Sequence, residues 1–141
     1  MAIRIVQLGS ARAEGEGTRL GTVRRPPRGV KKSQFAAEDY FDAWLPELSP
    51  SAKLVATGLA ATDEREWRRF ERSYRAEMKS PAAQHLIEAL ARLSQNANFS
   101  VGCYCENYDR CHRSILADLL RAQGAEVIVQ ESATAPRRRA P

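Results

Sequence analysis

No stretch of this chain stays apolar for the roughly 20 residues that a membrane-spanning helix needs, so a helical integral membrane protein is not expected. The apolar part of Met1-Ala-Ile-Arg-Ile-Val-Gln-Leu8 is too short for a signal peptide and leads straight into strand-like alternation. The expected location is the cytoplasm. Cysteine is scarce: there are three, at 103, 105 and 111. An odd, crowded set is a poor disulfide framework. In a reducing compartment such a cluster is more often metal-binding or catalytic. Acidic residues are missing from 24–32, where Arg24, Arg25, Arg28, Lys31 and Lys32 stand. Aromatics do not interleave with these cations, so stacking platforms for a single nucleic-acid strand are not evident. No internal repeat is present.

What remains is ordinary for a globular protein. A chain of 141 residues fits one domain and buries roughly two-thirds of its unfolded surface. Its 43% hydrophobic and 28% charged content is typical. The net charge of +5 is gathered into the 24–32 run and into Arg137, Arg138 and Arg139. Basic runs suggest phosphate-bearing or nucleic-acid partners. The second run follows the linker-like Ser132-Ala-Thr-Ala-Pro136, which predicts a single domain over 1–131 and a basic disordered tail over 132–141.

The patterning predicts an α/β chain. Residues 3–8 alternate as an opening strand. Gly9 to Gly21 contains four glycines and reads as a loop. The consecutive prolines Pro26 and Pro27 exclude helix, because each fixes φ and removes a donor. Residues 39–45 read as a short helix or turn. Ser49-Pro50 opens a helix over about 51–56, with Gly58 as its stop. Thr62 is the expected cap of the next helix, whose Trp67, Phe70, Tyr74 and Met78 form one apolar face. Ser80-Pro81 opens a third helix with Leu86, Ile87, Leu90 and Leu93 inward. Residues 99–104 alternate as a strand, a helix follows from about 111 to Gly124, and 126–130 close as a strand. Strand, helix, strand implies parallel strands, hence a small layered single domain: a short, mainly parallel sheet flanked by helices.

The chemistry-bearing residues concentrate in Cys103-Tyr-Cys-Glu-Asn-Tyr-Asp-Arg-Cys-His-Arg-Ser114. This stretch lies beyond the carboxyl end of a predicted strand, where open α/β sheets bind ligands. One reading is a thiolate site. A cysteine at a helix N-terminus beside cations can have its pKa lowered from ~8.5 to ~3.5–7.5. Cys111 has Arg110, His112 and Arg113 beside it, and Cys105 sits at the strand exit. Either is a candidate nucleophile, with His112 as acid or base partner. Arg113, the Ser114 hydroxyl and the helix N-terminal N–H groups are candidate anion holders. The spacing departs from the cysteine–five residues–arginine loop of the tyrosine phosphatases. Four residues separate Cys105 from Arg110, and six separate Cys103 from it. A second reading is a zinc site, although Cys-x-Cys and adjacent Cys-His crowd the usual spacing of about two to four residues. A third is a binding module that holds phosphate without catalysis. The plainer alternative makes Cys103 a buried strand residue and lets His112 and Arg113 cap the helix and pair with Glu106 or Asp109. The sequence names no cofactor and no oligomeric state.

Four blocks occur in order along the chain: Arg25-Pro-Pro-Arg-Gly-Val-Lys-Lys32; Tyr40-Phe-Asp-Ala-Trp-Leu-Pro46 with Leu48-Ser-Pro50; Phe70-Glu-Arg-Ser-Tyr-Arg-Ala-Glu-Met78; and Asn98-Phe-Ser-Val-Gly-Cys-Tyr-Cys105 with Cys111-His-Arg-Ser114. In these blocks the chain resembles the bacterial domain-of-unknown-function 488 family, the YeaO-like proteins. The resemblance implies a compact α/β fold and no particular activity. It also ties the basic segment to the sulfur-rich one. The resulting expectation is that Arg25, Arg28, Lys31 and Lys32 line one cleft with His112 and Arg113. The site would be enzyme-like, with Arg25, Arg28, Lys31, Arg113 and Ser114 holding a phosphate or nucleotide and Cys105, Cys111 and His112 doing the chemistry. The alternatives are a non-catalytic nucleic-acid-binding module and a structural zinc site.

Overall fold

The alternation at the N-terminus does form a strand, β1 (Ile3–Gln7). In the computed structural model, which describes residues 1–130, β1 lies inside a five-stranded sheet. Its other members are β2 (Thr18–Gly21), β3 (Ala43–Trp44), β4 (Phe99–Cys103) and β5 (Val127–Val129), in the order β3-β2-β4-β1-β5. Every neighbouring pair is parallel. The predicted tail at 132–141 lies outside the described residues.

Four helices, α1 (Ala52–Ala60), α2 (Glu64–Glu77), α3 (Pro81–Leu93) and α4 (His112–Ala122), complete the α/β domain. Their apolar faces meet one side of the sheet. Leu54, Phe70, Tyr74, Ile87 and Leu116 share a cluster with Ile3, Ile5, Phe99 and Val101. On α3, Ala83 and Ala91 are buried where Leu93 was expected, and Leu93 is 58% exposed. The opposite side is covered by irregular chain rather than helix. Leu8, Val23, Tyr40 and Phe41 form a second, smaller cluster there with Cys103 and Cys111.

Four sequence expectations need correction. The stretch 9–21 is not all loop, since its last four residues are β2. Gly9, Gly15 and Gly17 do take positive φ and build the loop, but Gly21 lies in the strand, where the Phe41 ring occupies the space a Cβ would need. The expected helix or turn at 39–45 gives way to a turn and then β3. The Asp42 and Leu45 N–H groups donate to the Arg19 and Gly21 carbonyls (2.8 Å each), and the Trp44 indole donates to the Val23 carbonyl (2.7 Å). α1 runs through Gly58 to Ala60 and is capped by Ser51, whose hydroxyl accepts from the Leu54 N–H. Gly58 therefore serves close packing: a Cβ there would lie 2.7 Å from Phe70 Cε2. α2 is capped by Asp63 instead of Thr62. The Asp63 carboxylate takes the Glu66 N–H at 2.8 Å, as an ionised acceptor does better than a hydroxyl.

β2 also carries a feature with no trace in hydropathy. Arg19 is fully buried, with Glu16 only 3% exposed beside it. Arg19 Nε and Nη2 donate to the two Glu16 carboxylate oxygens at 2.7 and 3.0 Å. Arg19 Nη1 donates to the Ser10 and Asp39 carbonyls, and the Ser100 hydroxyl donates to Glu16 at 2.6 Å. These bonds hold the Glu16 carboxyl below its usual range, although burial alone would raise it.

Candidate functional site

The register of the sheet brings the two segments together. Gly21 of β2 stands opposite Gly102 of β4, so Thr22 and Cys103 leave the sheet side by side at its carboxyl edge. Beyond Cys103 the chain is polar. Asn107 accepts the Asp109 N–H with its side chain (3.0 Å) and starts a short 3-10 turn, Tyr108–Arg110. Cys111 follows in extended conformation as the N-cap of α4. The helix therefore begins at His112 and points its N-terminus back at the edge where β2 and β4 end.

His112 is only 4% exposed, and its tautomer is dictated by its surroundings. Its Nε2 lies 2.8 Å from the Thr22 carbonyl oxygen, which can only accept. Nε2 therefore carries the proton. The Thr22 hydroxyl, 3.3 Å from the same nitrogen, donates to the Gly102 carbonyl at 3.0 Å. Nδ1, the other ring nitrogen, faces Cys111 Sγ at 3.8 Å. The Tyr74 ring closes the far side, with centroids 5.4 Å apart. Its hydroxyl donates to the Leu48 carbonyl, and burial pushes its pKa up.

Three free thiols meet this imidazole. The Cys103 thiol donates to Cys105 Sγ at 3.8 Å. The guanidinium of Arg113, itself 2% exposed, donates from Nε to Cys111 Sγ (3.4 Å) and from Nη2 to the Cys105 carbonyl (2.7 Å). The thiols are driven apart in acidity. Burial would raise Cys111, but its interactions with the neighbouring Cys103 and Cys105 thiols and with His112 hold it well below the usual thiol value. Cys103 is raised by its contacts with Cys105 and Cys111 and by burial. Cys105 is favoured by its bond from Cys103, yet Cys111 and burial push it up to about 11.

The donor atoms of Cys103, Cys111 and His112 lie within 4.8 Å of one another and could hold a soft metal ion. The Cys111 sulfur of this set also accepts a hydrogen bond from Arg113 Nε at 3.4 Å.

This cluster forms the floor of a cavity of about 510 Å³, within the range of small-molecule sites. Arg25, Arg28 and Arg110 stand at its rim, and Val55, Leu59, Trp67 and Phe70 give it an apolar wall. Trp67 and Phe70, expected as core, are both core and wall. The guanidinium groups of Arg25 and Arg28 are exposed and donate to no side chain or carbonyl among the described residues, although the Arg25 carbonyl accepts the Tyr104 hydroxyl at 2.9 Å; Arg110 pairs with Glu64 at 2.9 Å. Arg24 also lines the cavity, but its guanidinium donates to the Pro46, Ser49 and Pro50 carbonyls and braces the rim.

Of the sequence-predicted residues, Cys105, Cys111, His112, Arg25 and Arg28 share this cavity. Lys31 is exposed and does not line it. Arg113 lies behind the sulfurs, and the Ser114 hydroxyl donates to the Cys111 carbonyl (2.9 Å). Thr22, Arg24 and the apolar wall were not singled out in the sequence as site residues. Thr22 acts mainly through a backbone carbonyl, which any residue type supplies.

Comparison with known families places residues 3–124 under the DUF488-N3a model, described as the active DUF488-N3 subclade. No curated protein and no solved structure matches the chain.

Proposed function

We propose, from the premise that this chain belongs to the DUF488 family, that it is a thiol-dependent enzyme acting on a phosphate-bearing small molecule, with Cys111 as nucleophile. The observation that carries this reading is the relay Thr22 carbonyl, His112, Cys111. A carbonyl 2.8 Å from Nε2 fixes the tautomer, and Nδ1 faces the sulfur at 3.8 Å. That is the nucleophile–base–orienting-group arrangement of covalent catalysis. His112 takes the Cys111 proton and returns it to the leaving group. Arg113 and the positive end of α4 hold the thiolate. The two uncommitted guanidinium groups, Arg25 and Arg28, suit a phosphate at the rim, and the apolar wall suits the body of the same molecule. The description of the subclade as active is in keeping with an enzyme.

Alkylation by iodoacetamide at neutral pH, followed by peptide mapping, tests this. Cys111 should react at least ten times faster than Cys103 or Cys105. Inorganic phosphate or a nucleoside monophosphate should slow it, and Arg25→Ala with Arg28→Ala should abolish that protection. Sluggish labelling of Cys111, indifferent to every anion, overturns the reading. Steeply salt-dependent binding of nucleic acid that survives Cys111→Ser would favour a non-catalytic nucleic-acid module instead.

A further inference from the structure

We infer that Cys111 and Cys103 form a hydroperoxide-sensitive pair, in which the site's nucleophile is converted reversibly to a disulfide. The inference rests on the reading of Cys111 as the reactive sulfur and adds a second chemistry to it.

Covalent catalysis on a phosphate-bearing molecule needs one cysteine, yet three free thiols converge on the cavity floor. Cys103 Sγ lies within 4.8 Å of both Cys111 Sγ and a His112 ring nitrogen. A disulfide needs about 2.05 Å between sulfurs, so closure asks for a few ångström of side-chain rotation. Cys103 is the last residue of β4, and Cys111 is the extended residue before α4. Cys111 is almost fully buried but lines the cavity, which admits a small oxidant. A nucleophilic sulfur held beside a second thiol is the arrangement of redox-responsive cysteines.

The chemistry balances. The Cys111 sulfur attacks one oxygen of the hydroperoxide, so an S–O bond forms and the O–O bond breaks. The departing oxygen takes the proton held on His112 and leaves as alcohol, or as water from hydrogen peroxide. The Cys103 sulfur then attacks the sulfenic sulfur of Cys111. An S–S bond forms, the S–O bond breaks, and hydroxide leaves with the Cys103 proton as water. Two thiols lose two electrons and the hydroperoxide gains them. The third thiol, Cys105, lies 3.8 Å from Cys103 and is not consumed.

The test treats the reduced full chain with equimolar hydrogen peroxide and reads intact mass and peptide maps. The expected result is a loss of about 2 Da, a Cys103–Cys111 cross-link, and reversal by dithiothreitol. Cys103→Ser, given a second equivalent of peroxide, should instead gain about 32 Da at Cys111, as unresolved sulfenic acid oxidises on to sulfinic acid. Cys105→Ser should keep the 2 Da loss. Oxygen addition to the wild-type chain without a cross-link, or a cross-link that omits either Cys103 or Cys111, overturns the inference. Phosphate-protected alkylation of Cys111 in Cys103→Ser separates the two readings. If it persists while peroxide yields no disulfide, only the redox pair falls. If it too is lost, the catalytic reading falls with it.

Discussion

His112 is where a single side chain sets the chemistry of its neighbours. Its Nδ1 and its charge are part of what holds Cys111 below the usual thiol range. The sign follows directly: with a lowered pKa, the thiolate exists above that depressed value and disappears as pH falls through it. Cys111 should therefore alkylate readily at neutral pH, while Cys105, pushed up to about 11, stays a thiol. His112→Ala should move the inflection of the Cys111 alkylation profile upward, toward the ordinary ~8.5 of a free cysteine, as followed by rate against pH. An unmoved inflection would mean that the imidazole is structural only. At this scale the sequence was informative where the chemistry resides in side chains: Cys111 and His112 stand together in one motif. It was silent on Thr22, whose essential atom is a carbonyl oxygen. It was also ambiguous for Arg113, since nothing in a sequence tells whether a guanidinium faces a ligand or, as here, a sulfur and the Cys105 carbonyl.

Among the elements, α1 shows how one glycine reverses an ordinary rule. Replacing a mid-helix glycine by alanine normally favours the helix by about 1 kcal/mol. At Gly58 the new methyl would lie 2.7 Å from the Phe70 ring, which belongs to both the core and the cavity wall. Gly58→Ala should therefore destabilise the protein by roughly 1–3 kcal/mol, as overpacking does, measured by urea denaturation. A stabilised variant would show that α1 and α2 are less tightly apposed. The same glycine explains a misread boundary, because its helix-stopping tendency was visible and its packing partner twelve residues on was not. α2, α3 and α4 were legible through their apolar spacing and, for α3, through its Ser-Pro cap. β2 was not. Its four residues include a buried arginine and a glycine pressed against Phe41, so neither alternation nor β-propensity marks it.

For the molecule as a whole, the Glu16–Arg19 pair ties the helix-free side of the sheet together. Glu16 from the loop before β2 meets Arg19 of β2 and Ser100 of β4, and Arg19 reaches the Ser10 and Asp39 carbonyls. Glu16→Ala would leave Arg19 as a buried, uncompensated charge and should cost about 3–5 kcal/mol, read from the denaturation midpoint. The Glu16 carboxyl is depressed on folding, so its stabilisation is present above the unfolded carboxylate pKa and is lost as pH falls through the folded value. Glu16→Gln should accordingly flatten the acid limb of a plot of Tm against pH. An unchanged limb would assign acid sensitivity to other carboxylates. The fold class could be read in advance because strand, helix and strand alternate in the second half of the chain. The meeting of the basic and sulfur-rich segments depended on strand order, which no local pattern encodes.

That strand order has a consequence for how the chain comes into being. The central pairing joins Ile3 to Phe99, and β5 then lines the other edge of β1. A nascent polypeptide leaving the ribosome therefore carries β1 with both lateral neighbours unmade until β4 and β5 have been synthesised. Closure over so long a separation is slow, and an unpaired apolar strand invites association with other chains in the interval. The three thiols stand at the end of β4 or after it, so their cluster is assembled only once the sheet that carries it can close.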